Sequence, residues 1–151
     1  MREAPKGWPR ISSSLFYDDA AAAIDWLGRA FGFEVRLKVE GEGGRIEHSE
    51  LTFGDGLVMV GSSGGKRESG RDNSWTASPR ALGGKNTQAL FAYVDDVDMH
   101  CARARAAGAT IATEPMSSDY GDDYWEDRSY EAVDPEGHHW WFGQRIKTGG
   151  K

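Results

Sequence analysis

Apolar and polar positions alternate most regularly late in the chain, over residues 128–144. Ser129, Glu131 and Val133 fall on one face of an extended segment, and Arg128, Tyr130 and Ala132 on the other, the period of a strand. Asp134-Pro135-Glu136-Gly137 then breaks the alternation: Pro fixes φ and Gly supplies the positive φ that closes a turn. Beyond the turn, His139 and Trp141 share one face, with His138, Trp140 and Phe142 opposite. Rings on both faces of one strand predict a sheet covered on one side and lining a ligand cavity on the other.

The same reading extends to the rest of the chain. Residues 11–17 form a first predicted strand, and Asp18-Asp19 an N-cap, because a carboxylate there accepts from orphan N–H groups and complements the helix dipole. A helix follows over 20–31, with Ile24, Leu27 and Phe31 as its buried stripe and Gly32 as its stop. Strands are predicted over 33–40, 45–53 and 57–61, the last two joined by a hairpin turn at Gly54-Asp55-Gly56. Residues 62–87 are polar, carry Trp75, and read as a connecting or binding loop. The order then repeats: a strand over 88–94, a cap at Asp95-Asp96, a helix over 97–107 stopped by Gly108, and a strand over 109–113. An acidic, aromatic loop spans 114–126 before the closing strand pair.

That repetition is the strongest organisational signal. Leu15-Phe16-Tyr17-Asp18-Asp19, helix, Gly32 and strand match Ala92-Tyr93-Val94-Asp95-Asp96, helix, Gly108 and strand. One half alone would leave a sheet face uncovered. The expectation is an α+β single domain of paired βαβββ modules, about 10–61 and 88–145, forming a curved mixed sheet with helices on the outside.

Composition narrows the function classes. A net charge of −6 on 151 residues lacks the clustered basic surface that phosphate backbones require, so nucleic acid is not an expected partner. The short basic run at Lys66, Arg67 and Arg71 is broken by Glu68 and Asp72 and reads as a solvated loop. No apolar run reaches the ~20 residues that span a bilayer, and residues 1–10 lack a signal peptide's apolar core. A single cysteine, Cys101, excludes an internal disulfide framework and fits the reducing cytoplasm. It lies in a helical pattern and reads as packing.

A duplicated βαβββ unit closing on Asp134-Pro135-Glu136-Gly137-His138 resembles the vicinal oxygen chelate superfamily. Ser78-Pro79, Leu82-Gly83-Gly84, Thr87-Gln88, Tyr93-Val94-Asp95-Asp96-Val97-Asp98, Ala106-Ala107-Gly108-Ala109, Tyr120-Gly121 and Asp127-Arg128-Ser129-Tyr130 are similar to its glyoxalase/bleomycin-resistance-like branch. The resemblance covers nearly the whole chain and implies the fold more specifically than an activity. It also implies a homodimer. One departure is the segment 122–126, with Tyr124 and Trp125, between motifs expected nearly adjacent.

In metal-dependent members of the superfamily, His, Gln or Glu side chains from the first and last strands of each unit hold a divalent ion. Here the matching positions fall near Ser12 or Ser13, at Ala89 beside Gln88, within 57–60, and at Trp141. Only Gln88 has ligand chemistry, so no resident metal is expected. Period two puts His48 and Glu50 on one face of their strand with Ile46 and Thr52, toward the cup, and His139 shares the parity of Trp141. Three readings of these residues stay open: a metal set of His48, Glu50 and His139, a metal-free acid–base pair, or hydrogen bonding of His48 and Glu50 to each other or to Arg45 or Arg128. His100, between polar helix positions, is expected to be exposed, and His138 structural.

Six tryptophans exceed what so small a core needs. Trp26 fits the first helix, Trp75 and Trp125 fall in loops, and Trp141 replaces a ligand. Aromatic walls with a few acidic groups suit flat, partly cationic organic molecules. The expected function is therefore small-molecule binding through His48, Glu50, Trp75, Tyr93, Trp125, His139 and Trp141. The alternative is a metal-dependent glyoxalase-type lyase or dioxygenase.

Overall fold

A computed structural model describes residues 1–150. It divides into two compact units, Met1–Leu82 and a second beginning at Gly83, each with the connectivity strand, helix, three strands. The first contains β1 (Ser13–Tyr17), α1 (Ala20–Phe31), β2 (Glu34–Glu40), β3 (Ile46–Phe53) and β4 (Gly56–Ser62). Its sheet runs β1-β4-β3-β2, with β1 parallel to β4 and the remaining pairs antiparallel. The second contains β5 (Leu90–Tyr93), α2 (Val97–Ala106), β6 (Thr110–Asp119), β7 (Trp125–Val133) and β8 (His139–Thr148). Its order, β5-β8-β7-β6, repeats the first, again with only the β5–β8 pair parallel. The architecture is the α+β arrangement of mixed-sheet βαβββ modules that the pattern predicts.

The helices start and stop where their caps dictate. Asp19 accepts from Ala22 N at 3.0 Å and Asp96 from Met99 N at 3.0 Å. Gly32, at φ 91°, ends α1, as only a residue free of a Cβ does readily. Ile24, Leu27 and Phe31 are buried against the sheet with Leu15, Tyr17, Leu51, Val58 and Val60. Trp26 is buried too, edge-on to Phe31 at 5.0 Å.

The second unit builds its core differently. α2 buries only Val97, Cys101 and Ala104, and the volume comes from the sheet: Tyr130, Ala132, Trp140 and Phe142, all 1% exposed or less. Polar contacts fix this helix in place. Gln144 accepts from Val97 N at 3.0 Å, Arg128 grips Asp98 through two bonds of 2.8 Å, and Arg105 grips Glu114. His100 is half-buried rather than exposed, 2.7 Å from the Tyr130 hydroxyl and packed on Phe142 at 4.3 Å. The helical pattern does not reveal this contact, which His100 makes with side chains of β7 and β8. Burial pushes the Cys101 thiol above its ordinary range, which leaves it a poor nucleophile. No helix among the described residues is long and apolar enough to cross a membrane.

Two expected loops are more ordered than their composition suggests. Residues 114–126 largely extend a hairpin: β6 runs to Asp119, β7 starts at Trp125, and Ser118↔Asp127 and Asp119↔Glu126 pair across it. The additional segment is thus the hairpin's tip, turned at Gly121 (φ 103°), and Trp125 begins a strand. Residues 62–87 contain the bridge Lys66↔Asp72 and a 3-10 turn at Pro79–Leu82, and polar side chains stitch them down.

Asp134, 5% exposed, organises the closing turn. Its Oδ1 accepts from Glu136 N (3.1 Å) and His138 N (3.0 Å), and its Oδ2 from the Trp140 indole (3.1 Å). Asp134→Ala strands three donors at once, two of them buried, and should cost about 3 kcal/mol. Urea unfolding checks this, and Asp134→Asn should recover part of the loss.

Candidate functional site

Each sheet has a helix-covered face and an open face, and register decides which residues reach the open one. In the first unit β1, β4, β3 and β2 align Ser14, Met59, Glu50 and Leu37 in one row. In the second, β5, β8, β7 and β6 align Phe91, Trp141, Glu131 and Thr113. Glu50 and Glu131 therefore occupy equivalent places in the two repeats. Phe16 beside Gly61 likewise matches Tyr93 beside Gly143. Gly143 leaves room for the Phe91 ring, which a Cβ at that position would meet.

Both carboxylates hold a histidine. His48 Nε2 lies 3.2 Å from Glu50 Oε1, and His139 Nδ1 is bonded to Glu131 Oε1. Glu131 Oε2 also accepts from Thr113 Oγ1 at 3.2 Å. Glu50 Oε2 accepts from Arg36 Nε at 2.8 Å. Arg36 is the arginine that neither Arg45 nor Arg128 proves to be. Arg45 instead pairs with Glu47 and reaches the carbonyls of Ser62, Ser63 and Gly64, while Arg128 belongs to the second unit and holds Asp98. A register shift between Val35 and Leu37 frees Arg36 from pairing and aims it at Glu50, as bulges do. Arg36 also donates to Gly7 O at 2.5 Å and covers the Trp8 ring at 4.7 Å. Burial alone would raise the Glu50 pKa, but hydrogen bonds from His48 and Arg36 outweigh it and hold the carboxyl below its ordinary range.

The remaining candidates divide between the units. His48 lines a cleft of about 230 Å³ in the first, with Phe16, Met59, Arg67 and Arg71 among its walls. The basic run expected to be solvated thus borders a cavity. Trp75 is exposed, edge-on to Phe16 at 5.5 Å. In the second unit His139, Trp141, Glu131 and Gln88 line a cleft of about 400 Å³. Tyr93 and Trp125 flank the Arg145 guanidinium at 5.3 and 5.1 Å from their rings, and Arg145 also bonds Asp127 and the Tyr93 hydroxyl. A flat cation already occupies that ring pair. Among the described residues no group of three or more His, Cys, Asp or Glu side chains is gathered to hold a metal ion. His48 and Glu50 lie in the first unit and His139 in the second, and each histidine has its own glutamate.

A family model for the glyoxalase/bleomycin resistance protein/dioxygenase superfamily matches residues 10–142. The chain belongs to this superfamily. An uncharacterized protein of Mycobacterium bovis is 34% identical over 139 residues, which cover 92% of this chain and 85% of that one. A Mycobacterium tuberculosis relative shows the same identity over 76% of its length. Among solved structures, TioX from Micromonospora sp. ML1 shares 33% identity at a TM-score of 0.67, over 90% of this chain and 95% of that one. TnmS3, an antibiotic binding protein from Streptomyces sp. CB03234, shares the fold at 19% identity and a TM-score of 0.59, over 89% and 93% of the two chains.

The depressed Glu50 pKa carries a stability consequence with a definite sign. An acid whose folded pKa lies below its unfolded value stabilises the fold above that value, and the contribution is lost as pH falls through the folded pKa. Wild type should therefore exceed Glu50→Gln in stability near neutrality, with the gap closing below the ordinary carboxyl value of 4.5. Urea titrations of both proteins across this range would show it.

Proposed function

We propose that this protein binds a small, flat, cationic organic molecule on the open faces of its sheets and works without a resident metal. The observation that carries the reading is the row Phe91–Trp141–Glu131, in which a large ring and a carboxylate line the same cleft. Indole faces attract cations, and a carboxylate beside them supplies the countercharge. Arg145 between Tyr93 and Trp125 supports the same chemistry within the chain. In this reading Trp75, Trp125 and Trp141 contribute stacking area, and the His48–Glu50 and His139–Glu131 pairs orient polar groups. The antibiotic-binding TnmS3 supports antibiotic binding as a use to which this fold is put. We further propose a homodimer, and the single cysteine favours a cytoplasmic setting.

The two His–Glu pairs also favour a second reading, a metal-dependent lyase or dioxygenase that draws its ligands from them. Elemental analysis of the purified protein separates the two. Stoichiometric Ni, Zn, Fe or Mn, lost in His48→Ala, would establish the second.

Titrating intrinsic tryptophan fluorescence with a panel of cationic aromatic antibiotics tests the first. Saturable quenching by at least one is expected, with affinity reduced roughly tenfold in Trp141→Ala, since a desolvated cation–π contact contributes about 1–2 kcal/mol. An unquenched panel would refute it.

A further inference from the structure

We infer that the first unit's cleft is an anion-recognition site, in which Arg67 and Arg71 bind a carboxylate or phosphate group of an aromatic acid. Both sit on the loop spanning 62–87. Its polar composition predicts a loose connection, yet it is fastened at many points. Arg67 N donates to Arg71 O at 3.0 Å, and Lys66 pairs with Asp72. Below this small hairpin Asn73 is 3% exposed, donating from its backbone to Gly65 O (2.9 Å) and from Nδ2 to Ser62 O (3.1 Å). Thr76 accepts from Gly64 N at 2.9 Å, and Glu68 N reaches Glu47 at 3.4 Å. A segment anchored by buried polar side chains holds whatever it presents at low entropic cost.

What it presents is two guanidiniums with no acceptor. The other arginines near this sheet face are spent: Arg36 on Glu50 and Gly7 O, Arg45 on Glu47 and three carbonyls. Arg67 and Arg71 make no side-chain hydrogen bond or ion pair among the described residues, and both line the cleft. Glu47 also borders it, but its carboxylate is engaged by Arg45 and Glu68 N. Each guanidinium offers a planar fork that matches a carboxylate or phosphate, and both line the one cleft. Phe16 and Met59, in the same wall, offer apolar surface for a ring, and His48 a further polar contact. In a chain of net charge −6 this pair is a local reversal of sign.

The inference rests on the small-molecule reading above only in taking the ligand to be a small organic molecule. It assigns this cleft the opposite charge preference to the Trp141–Glu131 cleft, so separate probes test the two. Calorimetric titration of the full chain would compare 2-naphthoate, 2-naphthyl phosphate and neutral 2-naphthamide. At least one anionic probe should bind about tenfold more tightly than the amide, as paired charge-assisted bonds imply, and the tighter of the two identifies the group. In Arg67→Gln/Arg71→Gln the preference should vanish while the amide affinity stays within about twofold of wild type. Arg71→Gln alone, at an exposed position, should lose part of it and guards against misfolding of the double variant. Equal affinity for all three probes, no binding of any, or a preference that survives both substitutions would overturn the inference. Were antibiotic quenching still seen in those cases, only the anion site would fall.

Discussion

The Asp134 carboxylate fixes the register on which the second unit's open face depends. It binds the backbone of the turn on one side and the Trp140 indole on the other, so β8 leaves the turn with Trp140 facing the helix. Val133 then pairs with His139, Ala132 with Trp140, and Glu131 with Trp141. A slip of one residue would exchange the two faces of the strand. Trp140 and Phe142 would lose the cover of α2, and His139 and Trp141 would be driven into the core. Because α2 itself buries so little, the stacked rings of Tyr130, Trp140 and Phe142 supply most of the apolar volume under it. Core and open face are thus set by the same turn.

Duplication explains why both sheets offer related chemistry and why the offers differ. The equivalent glutamates each keep a histidine, taken from the same strand in the first unit and from the neighbouring strand in the second. Around them the repeats have diverged: Met59 against Trp141, and Ser14 against Phe91. The first unit adds arginines from its loop, and the second adds rings and Asp127. Superfamily membership fixes the scaffold, and these side chains give each open face its own chemistry.

Much of this was legible in the chain itself. Period two separated Glu131, His139 and Trp141 from Tyr130, Ala132, Trp140 and Phe142, and the aspartate caps and Gly32 marked the helix ends. Three features lay beyond one-dimensional reading. The bulge that brings Arg36 to Glu50 leaves no mark in the order of residues, so Arg45 and Arg128 looked equally eligible. The contacts of His100 are with Tyr130 and Phe142, residues far from it in the chain. Residues 62–87 and 114–126 looked irregular because side-chain-to-backbone bonds and a long hairpin, not apolar periodicity, order them. Glu131 was on the right face by parity, but its kinship with Glu50 appears only once the strands are aligned.

The central claim is that the open faces hold an organic ligand while the helix-covered faces only support them. Indole Nε1–H resonances report this directly, because Trp26 and Trp140 are buried in the cores whereas Trp75, Trp125 and Trp141 are not. Titration with a quenching cationic antibiotic, followed by two-dimensional ¹⁵N NMR, should shift the Trp141 signal most and leave those of Trp26 and Trp140 in place. Movement of the two buried indoles with Trp141 unchanged would contradict the account.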